Sequence, residues 1–259
     1  MDNQTQPDVS LRNSQFNFSN TPKNWLNNNL YISHMFDTSS IAIPYIEGLV
    51  NFSVKNVLDK IQDKQLYAAC LKFIEQETSH AREHIKCNNR LNEHGYRFPS
   101  FISNFKKKLN YIRTKWSTLS IIAVGVGFEC FTTIISNSVL EEKILAQPEM
   151  EIQQFWQWHM HEEIEHRSVL MDLYLHLGGG YLRRVVMLAL VLGCYCYYGI
   201  KIYFGFLRVD KASFFAGLKC ICGIKSFFLK SLFKTLPCFR YSYHPNQLSN
   251  PQLFRVNTK

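Results

Sequence analysis

Along this chain the apolar residues fall into long runs whose spacing predicts helices. The run from Ile41 to about Leu58, carrying Leu49, Val50, Phe52, Val54 and Val57, predicts a first helix. Pro44 falls in its opening turn, where proline is tolerated. A second helix is predicted from roughly Asp63 to Glu93, where Leu66, Ala69, Cys70, Phe73 and Ile74 keep a helical period and Gly95 provides a stop. A third runs from about Trp116 to Leu145 and is almost wholly apolar through Leu119–Ile135. A fourth spans Glu149–Leu177. It starts after Pro148, carries Glu149 and Glu151 in the first turn, where the helix dipole favours acids, and stops at Gly178-Gly179-Gly180. The segment between helices two and three, residues 95–112, holds Gly95, Pro99 and Lys106-Lys107-Lys108 and is long enough to cross the length of a bundle.

Two flanking regions read differently. Residues 1–38 are rich in Asn, Ser, Gln and Thr without sustained periodicity and are expected to form a mobile or loosely packed lead-in. Beyond the triple glycine, Val185–Ile200 carries no charge, and the apolar run reaches Leu207, flanked by Arg183-Arg184 and Arg208. That length suits a membrane span. Residues 212–239 are apolar with Lys219, Lys225, Lys230 and Lys234 interspersed, as in an interfacial helix. The expected organisation is therefore a lead-in (1–38), a four-helix bundle (39–180) and a basic apolar C-terminal part (181–259).

Charge sharpens that division. Residues 1–180 carry 17 Lys+Arg against 19 Asp+Glu, whereas residues 181–259 carry 12 Lys+Arg against the single acid Asp210. A basic, apolar tail suggests an anionic partner surface, and its interleaved apolar residues favour a membrane over nucleic acid. The eight cysteines show no Cys-x-x-Cys spacing, and the pairs Cys194/Cys196 and Cys220/Cys222 lie in apolar stretches, so all are expected to be buried thiols in a reducing compartment. The polar Met1-Asp2-Asn3-Gln4 start is not a secretory signal. The expected location is cytoplasmic, at the cytoplasmic face of the inner membrane.

The chemistry lies in two Glu-x-x-His motifs, Glu77/His80 and Glu163/His166, each preceded by a lone acid in an apolar segment, Glu47 and Glu129. Residues three apart on a helix share a face, so each Glu and His can point at one metal. One Glu from each of two helices plus Glu-x-x-His from each of two others is the ligand recipe of dinuclear carboxylate bundles of the ferritin-like type. The fold expected is thus all-α: a ferritin-like four-helix bundle with a dinuclear metal site, plus one or two C-terminal apolar helices. Glu129 is the only charge in Leu119–Ile135, and a carboxylate buried without a partner costs several kcal/mol, so a metal is its economical partner. His84 and His159 lie one turn outside the two motifs, at the same end of the site if the two helices are antiparallel. Together with Glu162 they are candidate proton-transfer, orienting or ligating groups.

The segments Phe73–His84, Gly127–Thr133 and Trp158–Arg167, with the closing Tyr243-His244-Pro245, resemble the bacterial "predicted metal-dependent hydrolase" family, itself similar to ferritin-like proteins. The resemblance covers roughly residues 40–250 and implies metal binding at Glu47, Glu77, His80, Glu129, Glu163 and His166.

Carboxylate and imidazole donors suit two divalent ions, iron first, with manganese or zinc as substitutes. The leading expectation is a di-iron oxidoreductase or oxygenase acting on an apolar or lipid-like substrate at a membrane surface. The alternative is hydrolysis, in which a hydroxide shared between the metals attacks an ester or phosphate. A second alternative is a non-enzymatic iron-binding protein, which the basic apolar tail disfavours because storage needs a soluble cage.

Overall fold

Asn29 opens the first helix by accepting hydrogen bonds from the backbone N–H groups of Tyr31 and Ile32. In the computed structural model, which describes residues 15–145, 149–223 and 226–248, the elements follow in order as α1 (Leu30–Lys55), α2 (Lys64–Glu93), α3 (Pro99–Lys115), α4 (Thr118–Glu141), α5 (Glu151–Glu165), α6 (Val169–His176), α7 (Tyr181–Val209), α8 (Phe214–Cys222) and α9 (Phe227–Lys234). No strand occurs among the described residues. Side-chain caps start several of these helices: Asp63 for α2, Ser117 for α4, Ser213 for α8 and Ser226 for α9. Gly178 ends α6 at φ +74°, a left-handed conformation that glycine adopts without strain, and the Gly179 N–H closes the turn on the Tyr174 carbonyl at 2.8 Å.

Contacts fix the direction of each helix. Arg90 pairs with Asp37, His84 meets Ser40, and Asn51 reaches Ile74 and Thr78, so α1 and α2 are antiparallel. Glu77–His166, His80–Glu162 and the His84/His159 ring contact make α2 and α5 antiparallel. Glu129–His166 and Thr132–Glu163 do the same for α4 and α5. Hence α2 and α4 run in the same direction, and the crossover that this demands is α3. α7 packs along α4, closely enough that a Cβ on Gly127 would stand 3.0 Å from the Leu188 Cα.

Several expectations need correction. The first helix begins at Leu30 instead of Ile41, and Pro44 is interior. Residues 15–29 are packed, with Trp25 and Leu26 fully buried, so only residues 1–14 of the expected lead-in lie outside the described residues. Residues 99–115 of the crossover are helical. The fourth helix is broken into α5 and α6 at residues 166–168, where His166 caps α5 and its ring packs edge-on to Phe73 at 4.9 Å. Of the cysteines, Cys70, Cys87, Cys130 and Cys238 are buried, but Cys194 and Cys222 are exposed. Among the described residues the C-terminal part holds three α-helices instead of one or two, and Pro148 and Lys225 lie outside the described residues.

Candidate metal centre

Four helices converge on one buried cluster of acids and histidines. α1 supplies Glu47, α2 supplies Glu77 and His80, and α5 supplies His159, Glu163 and, at its C-terminal end, His166. α4 supplies Glu129. Two sets of ligand atoms form, Glu47/His80/His159/Glu163 and Glu77/His80/Glu163/His166, with all atoms in each set within 4.8 Å of one another. His80 and Glu163 belong to both.

The imidazoles are oriented by what their other nitrogens touch. His80 Nε2 lies 3.0 Å from Glu162 Oε2, which leaves Nδ1 facing Glu77 Oε1 at 3.3 Å, Glu163 Oε1 at 3.7 Å and Glu47 Oε1 at 3.8 Å. Trp158 Nε1 donates to the other oxygen of Glu162 at 2.8 Å. His166 Nδ1 lies 3.1 Å from Glu129 Oε2, leaving Nε2 toward Glu77 Oε1 at 3.0 Å and Glu163 Oε1 at 3.9 Å. His159 Nε2 approaches Glu163 Oε1 at 3.5 Å. A carboxylate behind the imidazole is the usual support of a metal-ligating histidine.

Burial makes each charge in this cluster costly and shifts its titration. Desolvation, reinforced by Glu77, raises the Glu47 carboxyl well above the usual range, and desolvation with Glu163 pushes Glu129 up to about 8. Burial raises Glu163 too. For Glu77 burial also acts upward, but the close imidazoles of His166 and His80 prevail and hold it at about 2. Burial opposes protonation of His80 and His166, yet the surrounding carboxylates raise both. His84 and His159 are lowered, by burial first and then by the His80 charge. Both carboxylate oxygens of Glu47 and of Glu77, Oε1 of Glu163, Nδ1 of His80 and Nε2 of His166 are buried without an aligned hydrogen bond. Buried polar atoms are normally satisfied, so a cluster of orphans with this donor chemistry fits divalent cations.

The remaining residues singled out in the sequence have distinct places. Glu129 backs His166 and is in neither ligand set. His159 falls in one of the sets. Glu162 meets His80 from behind. His84 sits beside the site, with its ring 4.8 Å from that of His159 and its Nδ1 2.8 Å from Ser40 Oγ.

Sequence reasoning missed Ser40, Thr132 and Trp158. Thr132 Oγ1 donates to Glu163 Oε2 at 2.5 Å, turning the other oxygen to the cluster. Trp158 precedes Glu162 by one turn, and Thr132 follows Glu129 by one, so helical spacing from the marked acids was the available signal.

A profile of the family described as "Predicted metal-dependent hydrolase" matches residues 10–249, nearly the whole chain. Neither the curated proteins nor the solved structures gave a significant match. The family description favours the hydrolytic alternative over the oxidative chemistry expected first, and it agrees with a buried Glu/His site built to hold metal. The chain belongs to the predicted metal-dependent hydrolase family.

Proposed function

We propose that this protein is a hydrolase using two divalent ions held by Glu47, Glu77, His80, His159, Glu163 and His166 in a ferritin-like arrangement of α1, α2, α4 and α5. The observation that carries this reading is the pair of overlapping ligand sets that share Glu163, with His80 offering its one cluster-facing nitrogen, Nδ1, to a single ion. Two ions so placed supply Lewis-acid activation of a water and of an ester or phosphate oxygen.

The chain's own residues do the rest. Glu162 fixes the tautomer of His80 by a hydrogen bond, and Glu129 lies 3.1 Å behind Nδ1 of His166. Thr132 orients Glu163. Phe73, Phe155 and Trp158, all fully buried, keep bulk water from the carboxylates. Burial disfavours protonation of His84, whose Nδ1 meets Ser40 and whose Nε2 has no hydrogen bond, so it offers a neutral hydrogen-bonding nitrogen one ring away from His159.

The same reading puts the enzyme at a lipid surface. α4 and α7 are both long and apolar enough to cross a membrane, but α4 is mostly buried. α7 buries Leu188, Ile202, Tyr203, Phe206 and Leu207 and exposes Leu182, Val186, Leu190, Tyr197 and Ile200. Exposed Arg183 and Lys201 bracket that stripe, and α8 adds exposed Phe214 and Phe215 beside Lys211 and Lys219. One buried and one exposed face suits a helix lying in the interface of an anionic bilayer.

The deciding experiment is an anaerobic panel of esters and phosphodiesters offered to protein loaded with manganese, zinc or ferrous iron. Turnover without O2, lost in Glu163→Ala, supports hydrolysis. Substrate consumption that requires O2 and releases no hydrolysis product would overturn it.

A further inference from the structure

Two apolar cavities lie beside each other, and one of them adjoins the metal-binding cluster. That one, of about 80 Å³, has His159 and Thr132 in its wall together with Phe128, Trp156 and Phe228. Ile200 also lines it and is 48% exposed, so the same space reaches the surface on the apolar stripe of α7. The second, of about 230 Å³, lies between α1, α3, α4 and α7. The two share Thr38, Ser39, Phe128, Tyr195 and Gly199 as wall residues. Both far exceed the ~10–15 Å³ that admits one water, and apolar cavities of this kind stay dry and take apolar ligands.

The few polar groups in the walls divide into two kinds. Ser39 and Tyr195 satisfy each other at 2.6 Å. Lys108 and Tyr198 likewise pair with each other, whereas Thr38 Oγ1, His159 Nδ1 and Tyr203 Oη are buried without a hydrogen bond. A ligand fitting these walls is therefore apolar over most of its length and polar only where it meets His159, Thr38 or Tyr203.

Resting on the hydrolytic reading, we propose that the substrate is an ester bearing one flexible alkyl chain, with the ester beside His159 and the chain running from the first cavity toward the second past their shared wall. Hydrolysis there breaks the acyl C–O bond. The water oxygen bonds to the acyl carbon, one water proton passes to the departing alkoxide, and a carboxylic acid and an alcohol leave.

Gly199 provides the test. A Cβ there meets nothing within 4 Å, and Gly199 lies inside α7, so Gly199→Leu fills the shared wall while improving helix propensity. Metal content and the thermal midpoint serve as folding controls. With p-nitrophenyl esters from acetate to dodecanoate, kcat/KM of the wild type should rise roughly three- to fourfold per methylene until the cavities are full. In the variant the plateau should come at least two carbons earlier, with dodecanoate falling at least tenfold relative to acetate. A series flat in chain length, or the same plateau in a folded variant, overturns the proposal.

Calorimetric binding of decan-1-ol against butan-1-ol separates the two readings. Decanol binding weakened by Gly199→Leu, with no ester cleaved, upholds the chain site and removes the hydrolytic reading. Acetate ester cleaved by a protein that does not bind decanol in preference to butanol removes the chain site and leaves hydrolysis standing.

Discussion

Glu162 Oε2 sits 3.0 Å from His80 Nε2, on the side of the ring opposite the metal-binding cluster, so this carboxylate selects Nδ1 as the nitrogen that faces Glu47, Glu77 and Glu163. Trp158 holds the second oxygen of Glu162, which keeps it from swinging inward. A glutamate adjacent in sequence to a ligand thus acts on a different helix.

Removing that support should weaken metal binding without removing a ligand. Glu162→Ala is expected to lower metal affinity by about 10- to 100-fold, the usual effect of losing a carboxylate behind a ligating histidine. Glu162→Gln, which keeps an acceptor, should lie between the two. Competition against a fluorescent chelator reads the affinities, and equal values for all three proteins would show that Glu162 does not position His80.

Stoichiometry should follow the sharing of ligands. Glu163 is in both sets, Glu47 in one and Glu77 in the other. Metal analysis should therefore give two ions per chain for the wild type, about one for Glu47→Ala or Glu77→Ala, and close to none for Glu163→Ala. Full occupancy in Glu163→Ala would refute the paired site.

The metal-stripped protein should lose stability as pH rises. Glu129 titrates at about 8 when folded against an ordinary 4.5, so between these values the folded chain holds a proton that the unfolded chain has released. Stability conferred by that proton is complete below pH 4.5 and declines up to pH 8, at most by about 1.4 kcal/mol per pH unit. Glu129→Gln has no such proton. Urea denaturation in chelator at pH 5 and pH 8 should show a larger loss for the wild type than for the variant, and equal losses would contradict this assignment.

The exposed stripe of α7 should carry lipid binding. Val186 and Tyr197 are 50% and 62% exposed, so Val186→Glu/Tyr197→Glu alters the surface without entering the core. The wild type should co-sediment with vesicles containing phosphatidylserine, and the double variant should lose most of that binding while keeping its thermal midpoint. Equal sedimentation of the two proteins would place lipid contact elsewhere or nowhere.

The chain's local patterns specified the all-helical class, α2 almost to the residue, and the pairing of glutamates with histidines, because helical period and three-residue spacing are properties of neighbours in sequence. The start of α1 was hidden for the opposite reason. Its first turns mix apolar residues with Ser33, His34 and Asp37, and these polar groups are buried because remote residues satisfy them: Arg90 and Trp25 reach Asp37, and Asp210 meets His34 at 2.7 Å. Likewise the sequence marked Glu129 as buried, but only packing placed it behind His166 and brought His159 into a ligand set. What surrounds His166 at the break was equally invisible, since Phe73, Glu77 and Glu129 come from two other helices. Spacing along one helix decides which residues share a face; which face meets which, and at what distance, is decided by how the helices pack.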